Sequence, residues 1–122
     1  MVGPTDLASA LAPAAEDPFP PVFATSRMIA LMEIAAARSL VPLLEDGELS
    51  VGVSVDIRHT AATPLGGRVT AKATYAGLNG KLHRFELTAE DDGGEIGRGT
   101  HERAIVKSAR LLEGAAKRTS GG

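Results

Sequence analysis

The chain has 122 residues, enough for one compact domain with a core of its own but small enough to gain from association with a second copy. A formal net charge of −2, an aromatic content of 3% and basic residues that are scattered except for a weak group near the C-terminus (Lys107, Arg110, Lys117, Arg118) argue against a nucleic-acid partner. The lack of cysteine excludes disulfides, thiolate nucleophiles and cysteine metal sites, and is compatible with a reducing cytoplasm.

Residues 1–22 are rich in Ala, Pro and Asp and form an N-terminal arm or partial lid, with a short helical turn expected over Asp6 to Leu11 and the run PFPP closing the segment. No basic flank precedes an apolar stretch here, so the segment does not read as a secretory signal. Thr25 and Ser26 then offer N-cap chemistry ahead of the run MIALMEIAAARSLVPLL, which predicts a helix over about 26–41. Pro42 ends or kinks it. This helix is apolar nearly all round and therefore calls for cover on several sides. It is nevertheless no membrane span, because Glu33, Arg38 and Pro42 interrupt it.

Glu33 is the residue that most needs a reason. Its helical neighbours three and four positions away are Ile29, Ala30, Ala36 and Ala37, so no cation on its own helix neutralises it. A carboxylate buried there needs a partner from elsewhere in the fold or a raised pKa, and either outcome suits acid, base or nucleophile work. The structural alternative is a buried Glu paired with a backbone group or with an arginine such as Arg103.

Strand signals fill the remainder. Val51, Val53, Val55 and Ile57 alternate with Gly52, Ser54, Asp56 and Arg58, and His59 falls on the apolar parity. After TAATPLGG the alternation resumes through Val69, Ala71, Ala73 and Tyr75, Asn79-Gly80 marks a hairpin, and a third strand runs from Leu82 to Glu90. DDGG leads into a last strand over about 95–107, whose Gly97 and Gly99 predict close backbone approach or a bulge. Residues 109–122 read as a frayed helical or disordered tail. One long helix followed by an antiparallel meander of four strands is an α+β plan in which the sheet wraps the helix, with a central domain over 23–108.

Glu33 in mid-helix and His59 at the end of a strand packed across it are titratable groups on buried faces, and Thr25 adds a hydroxyl near helix N-terminal N–H groups that favour negative charge. A carboxylate, an imidazole and a hydroxyl suffice for acyl transfer, with one group attacking or activating water, one moving protons and donors holding the oxyanion. For His59 alone, a satisfied core or interface histidine is the competing reading. His83 reads as structural and exposed at a hairpin end, and His101 and Arg103, with Glu102 opposite, as a solvated or salt-bridged row. The three separated histidines show no metal-ligand spacing, and no glycine run opens a helix after a strand as a phosphate loop would.

The segments VFATSRMIALMEIAAARSLVPLLEDGE, SVGVSVDIRHTAATPLGGRVT and EIGRGTHERAIV together resemble the fluoroacetyl-CoA thioesterase type of hotdog-fold protein, over about 19–107. The resemblance implies a hotdog fold, with the long helix wrapped by a curved antiparallel sheet, a homodimer with active sites at the subunit interface and an acyl-CoA substrate; no cofactor is expected, and the missing signal, membrane span and cysteines read as a cytoplasmic protein. It places the catalytic set on Thr25, Glu33 and His59. It also places substrate contacts on Phe19 in the lid, on Gly52 lining the acyl pocket and on Arg103 near the active site. Glu16 stands where the specialised enzyme carries a second lid aromatic, and Ser26 and Arg27 replace the small or Pro-like residues that follow the family's threonine. The expected function is hydrolysis of a short-chain acyl-CoA thioester. The alternatives are a hotdog protein that binds acyl-CoA without turning it over, and a hotdog hydratase or dehydratase.

Overall fold

A computed structural model describes residues 1–120. Helix α1 spans Thr25–Leu40, and four strands follow: β1 (Glu48–His59), β2 (Thr70–Asn79), β3 (Leu82–Asp91) and β4 (Gly94–Lys107). Helix α2 (Ser108–Thr119) closes the described chain, so the segment read as a frayed end is helical through Thr119.

The strands form one antiparallel sheet in the order β1-β4-β3-β2. Only β2, β3 and β4 follow one another as a meander. β1 pairs with β4 instead of β2, and the loop over 60–69 carries the chain from one edge of the sheet to the other. The Asn79-Gly80 hairpin forms as expected: Asn79 pairs with Leu82, and Gly80 takes the positive φ of 64° that the tight turn requires. Gly97 and Gly99 lie where β4 runs closest to its neighbours. A Cβ at Gly97 would come within 2.7 Å of the Met28 side chain, and one at Gly99 would overlap the Asp56 carbonyl of β1.

α1 buries one stripe, Met28, Met32, Ala36 and Leu40, at the i, i+4 spacing that keeps side chains on one face. That stripe meets Phe85, Leu87, Ala89 and Ile96 from the sheet, and Val2 and Phe23 complete the core. Each fully buried Met, Leu or Phe contributes about 1.5–3 kcal/mol relative to exposure, so this stripe is what binds α1 to the sheet. The opposite face of α1 is open, with Leu31 and Ile34 exposed. The expectation of a helix buried all round is thus not met within one chain. The start of the arm is anchored: Val2 is buried, and its backbone exchanges hydrogen bonds with Gly66 and Gly67.

A bulge in β1 decides which side chains face the helix. The register steps from Gly52 opposite Arg103 to Ser54 opposite Glu102, leaving Val53 as the extra residue. The regular alternation expected for Val51, Val53 and Val55 is broken there. The bulge turns Gly52, and not Val51, toward the same side of the sheet as Val55, Ile57 and His59, which is the side α1 covers.

Candidate active site

Two polar clusters lie under α1. The first is at the helix N-terminus. Thr25 is the first helical residue, Ala24 occupies the N-cap position, and no side chain among the described residues caps the helix. The Thr25 hydroxyl, expected to serve as a cap, instead meets Nδ1 of His59 at 2.8 Å. His59 reaches it because the last residue of β1 points to the helix side, opposite Gly97. Its Nε2 is shielded from solvent and makes no hydrogen bond among the described residues. The backbone N–H groups of Thr25 and Ser26, orphaned by their place in the first turn, also have no partner among the described residues. Two adjoining clefts open on this cluster. One, of about 330 Å³, runs past Pro20, Thr25, His59 and Ala62, and the other, of about 240 Å³, is lined by Leu11, Phe19, Ala24 and Thr25. Phe19 is 48% exposed at the mouth of the second cleft.

The second cluster is at mid-helix. Oε2 of Glu33 accepts a hydrogen bond from Nη1 of Arg103 at 3.1 Å, so the partner arrives from β4, as the structural alternative for Glu33 anticipated. The Glu33 side chain is 43% exposed, however, and the deep burial expected for it is absent because the helix face beside it is uncovered. Arg103 is held on every side: Nε donates to the Ser50 hydroxyl at 2.9 Å, Nη2 to the Ser50 carbonyl at 2.8 Å, and Nη1 also meets Nε2 of His101 at 3.2 Å. Nδ1 of His101 lies 2.7 Å from the Ser54 carbonyl. Gly52 is the floor of this cluster. A Cβ there would stand 2.7 Å from Glu33 Oε2 and 3.2 Å from the His101 ring, so only glycine leaves room for the carboxylate. A cleft of about 190 Å³ opens at Glu33, Gly52, Val55 and His101.

Thus His59 meets Thr25 but not Glu33. Thr25 and Glu33 are eight residues apart on one helix, which sets them ~12 Å apart along its axis. His101 and Arg103, read as a solvated or salt-bridged row, are only 2% and 6% exposed, because the face they share looks into the concave side of the sheet. A signal for this was present: they have the same strand parity as Gly97 and Gly99, the residues that mark close packing. Glu102, on the opposite parity, does lie on the outer face. There Asn79 and Ser54 donate to its carboxylate and hold its pKa below the ordinary range. His83, expected to be exposed, is half-buried with its Nδ1 2.9 Å from the Tyr75 hydroxyl. No group of His, Asp and Glu among the described residues is arranged to hold a metal ion. No helix among them is long and apolar enough to cross a membrane.

Residues 2–109 match the model of the fluoroacetyl-CoA-specific thioesterase family. A fluoroacetyl-CoA thioesterase from Streptantibioticus cattleyicolor is 41% identical over 104 residues, covering 85% of this chain and 75% of the relative. Among solved structures, a mutant fluoroacetyl-CoA-specific thioesterase in complex with fluoroacetate and CoA superposes with a TM-score of 0.90 at 38% identity, covering 97% of this chain and 94% of that one. A thioesterase superfamily member from Thermus thermophilus gives 0.84 at 30% identity, covering 97% and 84%. A hot-dog-like protein from Thermanaerovibrio acidaminovorans gives 0.84 at 26% identity, covering 99% and 87%.

Proposed function

The chain belongs to the fluoroacetyl-CoA-specific thioesterase family, has its hotdog fold and is an acyl-CoA thioester hydrolase, and from that premise we propose that it cleaves short acyl-CoA esters at a site shared between two subunits. The observation that carries this reading is the separation of the two clusters. Three groups suited to one acyl transfer lie on one helix and one strand, yet ~12 Å divides Glu33 from Thr25 and His59, too far for one chain to aim both at one carbonyl. A homodimer resolves this by bringing Glu33 of one subunit to the Thr25–His59 pair of the other.

The surface supports such pairing. β1 is a 12-residue edge strand with Val53 and Val55 largely exposed, an edge that soluble proteins seldom leave uncovered. It flanks the half-exposed Glu33, so a partner laid along it would also cover the carboxylate.

In this arrangement the thioester carbonyl sits over the first turn of α1. The Thr25 and Ser26 N–H groups and the helix dipole stabilise the oxyanion as the tetrahedral intermediate forms. Glu33 supplies its free oxygen, Oε1, while Oε2 stays on Arg103. As general base it takes a proton from water, which attacks the carbonyl carbon. As nucleophile it attacks that carbon itself, and water then opens the anhydride. In both routes the C–S bond breaks and His59 delivers a proton to the departing CoA sulfur; the proton that Glu33 or the attacking water gives up then returns to His59, and free acid and CoA leave with both side chains restored. No cofactor is needed. Leu11, Phe19 and Pro20 bound the cleft of about 240 Å³ beside Thr25, a size that suits a short acyl group. Glu16 is exposed and lines neither cleft, so the lid reduces to Phe19 and we extend the substrate range to unfluorinated short chains. Such substrates and the lack of cysteine suit the cytoplasm.

The test is release of free CoA from a panel running from acetyl and fluoroacetyl to longer esters, followed with a thiol reagent against which a cysteine-free protein is silent. Turnover on short esters, abolished in Glu33→Ala, is expected. Binding of the esters without thiol release would point to a sequestering protein instead.

A further inference from the structure

We propose that His101, which lies outside the set Thr25, Glu33 and His59, is a positioning residue that keeps the Glu33–Arg103 ion pair one-pronged and so leaves Oε1 of Glu33 free to react. The proposal rests on the reading of Glu33 as the reacting carboxylate.

A guanidinium only donates, so Nε2 of His101, 3.2 Å from Nη1, must be the acceptor. The proton on the ring then sits on Nδ1, where it is donated to the Ser54 carbonyl at 2.7 Å. These contacts select the tautomer. The ring is also held by packing: it is 2% exposed and lies against Phe85, with centroids 6.4 Å apart.

The donors of Arg103 are nearly all spoken for. Nε and Nη2 are tied to Ser50, which leaves Nη1 facing the site. One of its protons goes to Oε2 of Glu33 and the other to His101. Without His101 the second proton would be a buried donor with that acceptor removed, a costly state, and Glu33 is the acceptor that Nη1 already holds. The carboxylate would be drawn into a forked contact that engages both of its oxygens. Gly52 makes room for the native arrangement, because its missing Cβ is the space that both the carboxylate and the imidazole edge approach.

Two substitutions separate this role from a structural one. His101→Gln reaches as far as Nε2 and offers an oxygen to Arg103, while giving up the bond to Ser54. His101→Asn keeps a donor near Nδ1 for Ser54 and removes the acceptor for Arg103. We expect His101→Gln to keep kcat within about threefold and His101→Asn to lose about tenfold or more in kcat with little change in KM, since the lost interaction bears on the reacting group and not on CoA binding. Thermal melting reports folding of both. The reverse order, or equal losses, would overturn the proposal and leave His101 as a brace for the β1 bulge. Crystal structures of the two variants read the contact independently of turnover. An unchanged one-pronged Arg103–Glu33 pair in His101→Asn would overturn the proposal even if the wild-type protein hydrolysed nothing, an outcome that by itself would strike only the thioesterase reading. Should His101→Asn fail to fold, a folded His101→Gln variant that loses turnover contradicts the proposal.

Discussion

The two polar clusters under α1 differ in how complete they are. Around Arg103, four hydrogen bonds run to Ser50, His101 and Glu33, and the guanidinium is almost entirely buried. Around His59 there is one side-chain bond, to Thr25, beside a shielded Nε2 and two backbone donors that have no partner among the described residues. The first cluster is rigid and finished within one chain, as befits a group that must hold a carboxylate in one pose. The second presents an imidazole and a helix N-terminus to two adjoining clefts, and under the shared-site proposal the carboxylate it works with is Glu33 of a second subunit. On the shared-site proposal, a catalytic unit split this way would tie activity to dimerisation.

Removing one member of each cluster sharpens the contrast. Glu33→Gln keeps the shape and the acceptor for Arg103 but removes the charge, and kcat should fall by about 10³-fold or more, with stability little changed, in steady-state thiol release and thermal melting. His59→Ala and Thr25→Val should each cost about 10²-fold in kcat, because oxyanion stabilisation from the helix N-terminus survives them. A His59→Ala enzyme with unaltered kcat would break the assignment of the second cluster. Gly52→Ala should lower kcat by about tenfold and also lower the melting temperature, since it parts the buried Arg103 guanidinium from its carboxylate. The new methyl collides with the tip of Glu33 and crowds the buried His101 ring, so the carboxylate gives way and leaves Arg103.

The smallest expected effect lies outside both clusters. Asp91 accepts from the buried Thr63 hydroxyl at 2.7 Å and from the Gly93 N–H, and Thr63 above all holds its carboxyl below the usual range. A carboxyl depressed in the folded state adds stability that is present above its unfolded pKa and is lost as pH falls through the folded value. Thr63→Val should therefore lower stability above the unfolded pKa of Asp91 and make the acid limb of the stability profile shallower, because the gap between the folded and unfolded values closes, without altering kcat at neutral pH. An unaltered limb would show that Asp91 does not govern it.

Much of the fold and part of the site are legible from residues alone. Apolar spacing locates α1 to within a residue, Asn79-Gly80 locates its hairpin, and Gly97 and Gly99 announce the tight passage of β4. Arg103 is available as a partner for Glu33. Three features are hidden, each for a physical reason. The β1 bulge is invisible because VGVSVDI alternates smoothly in sequence, and only pairing with β4 shows that Val53 is extra. The burial of His101 and Arg103 depends on which face of β4 is concave, a property of the assembled sheet. The exposure of Glu33 follows from the open face of α1, which no count of apolar residues foretells, since those residues are also what a partner subunit would cover.

Mixing two inactive proteins tests the split site most directly. On the shared-site proposal, Glu33→Gln and His59→Ala homodimers would each lack one half of every active site, while a mixed dimer would hold one site with Glu33 from one chain and Thr25–His59 from the other. Co-refolded at equal amounts, the pair should recover about a quarter of wild-type kcat, since half the dimers are mixed and each has one competent site. Activity no higher than the sum of the two mutants alone would show that each chain supplies its own complete set, and would contradict the shared site.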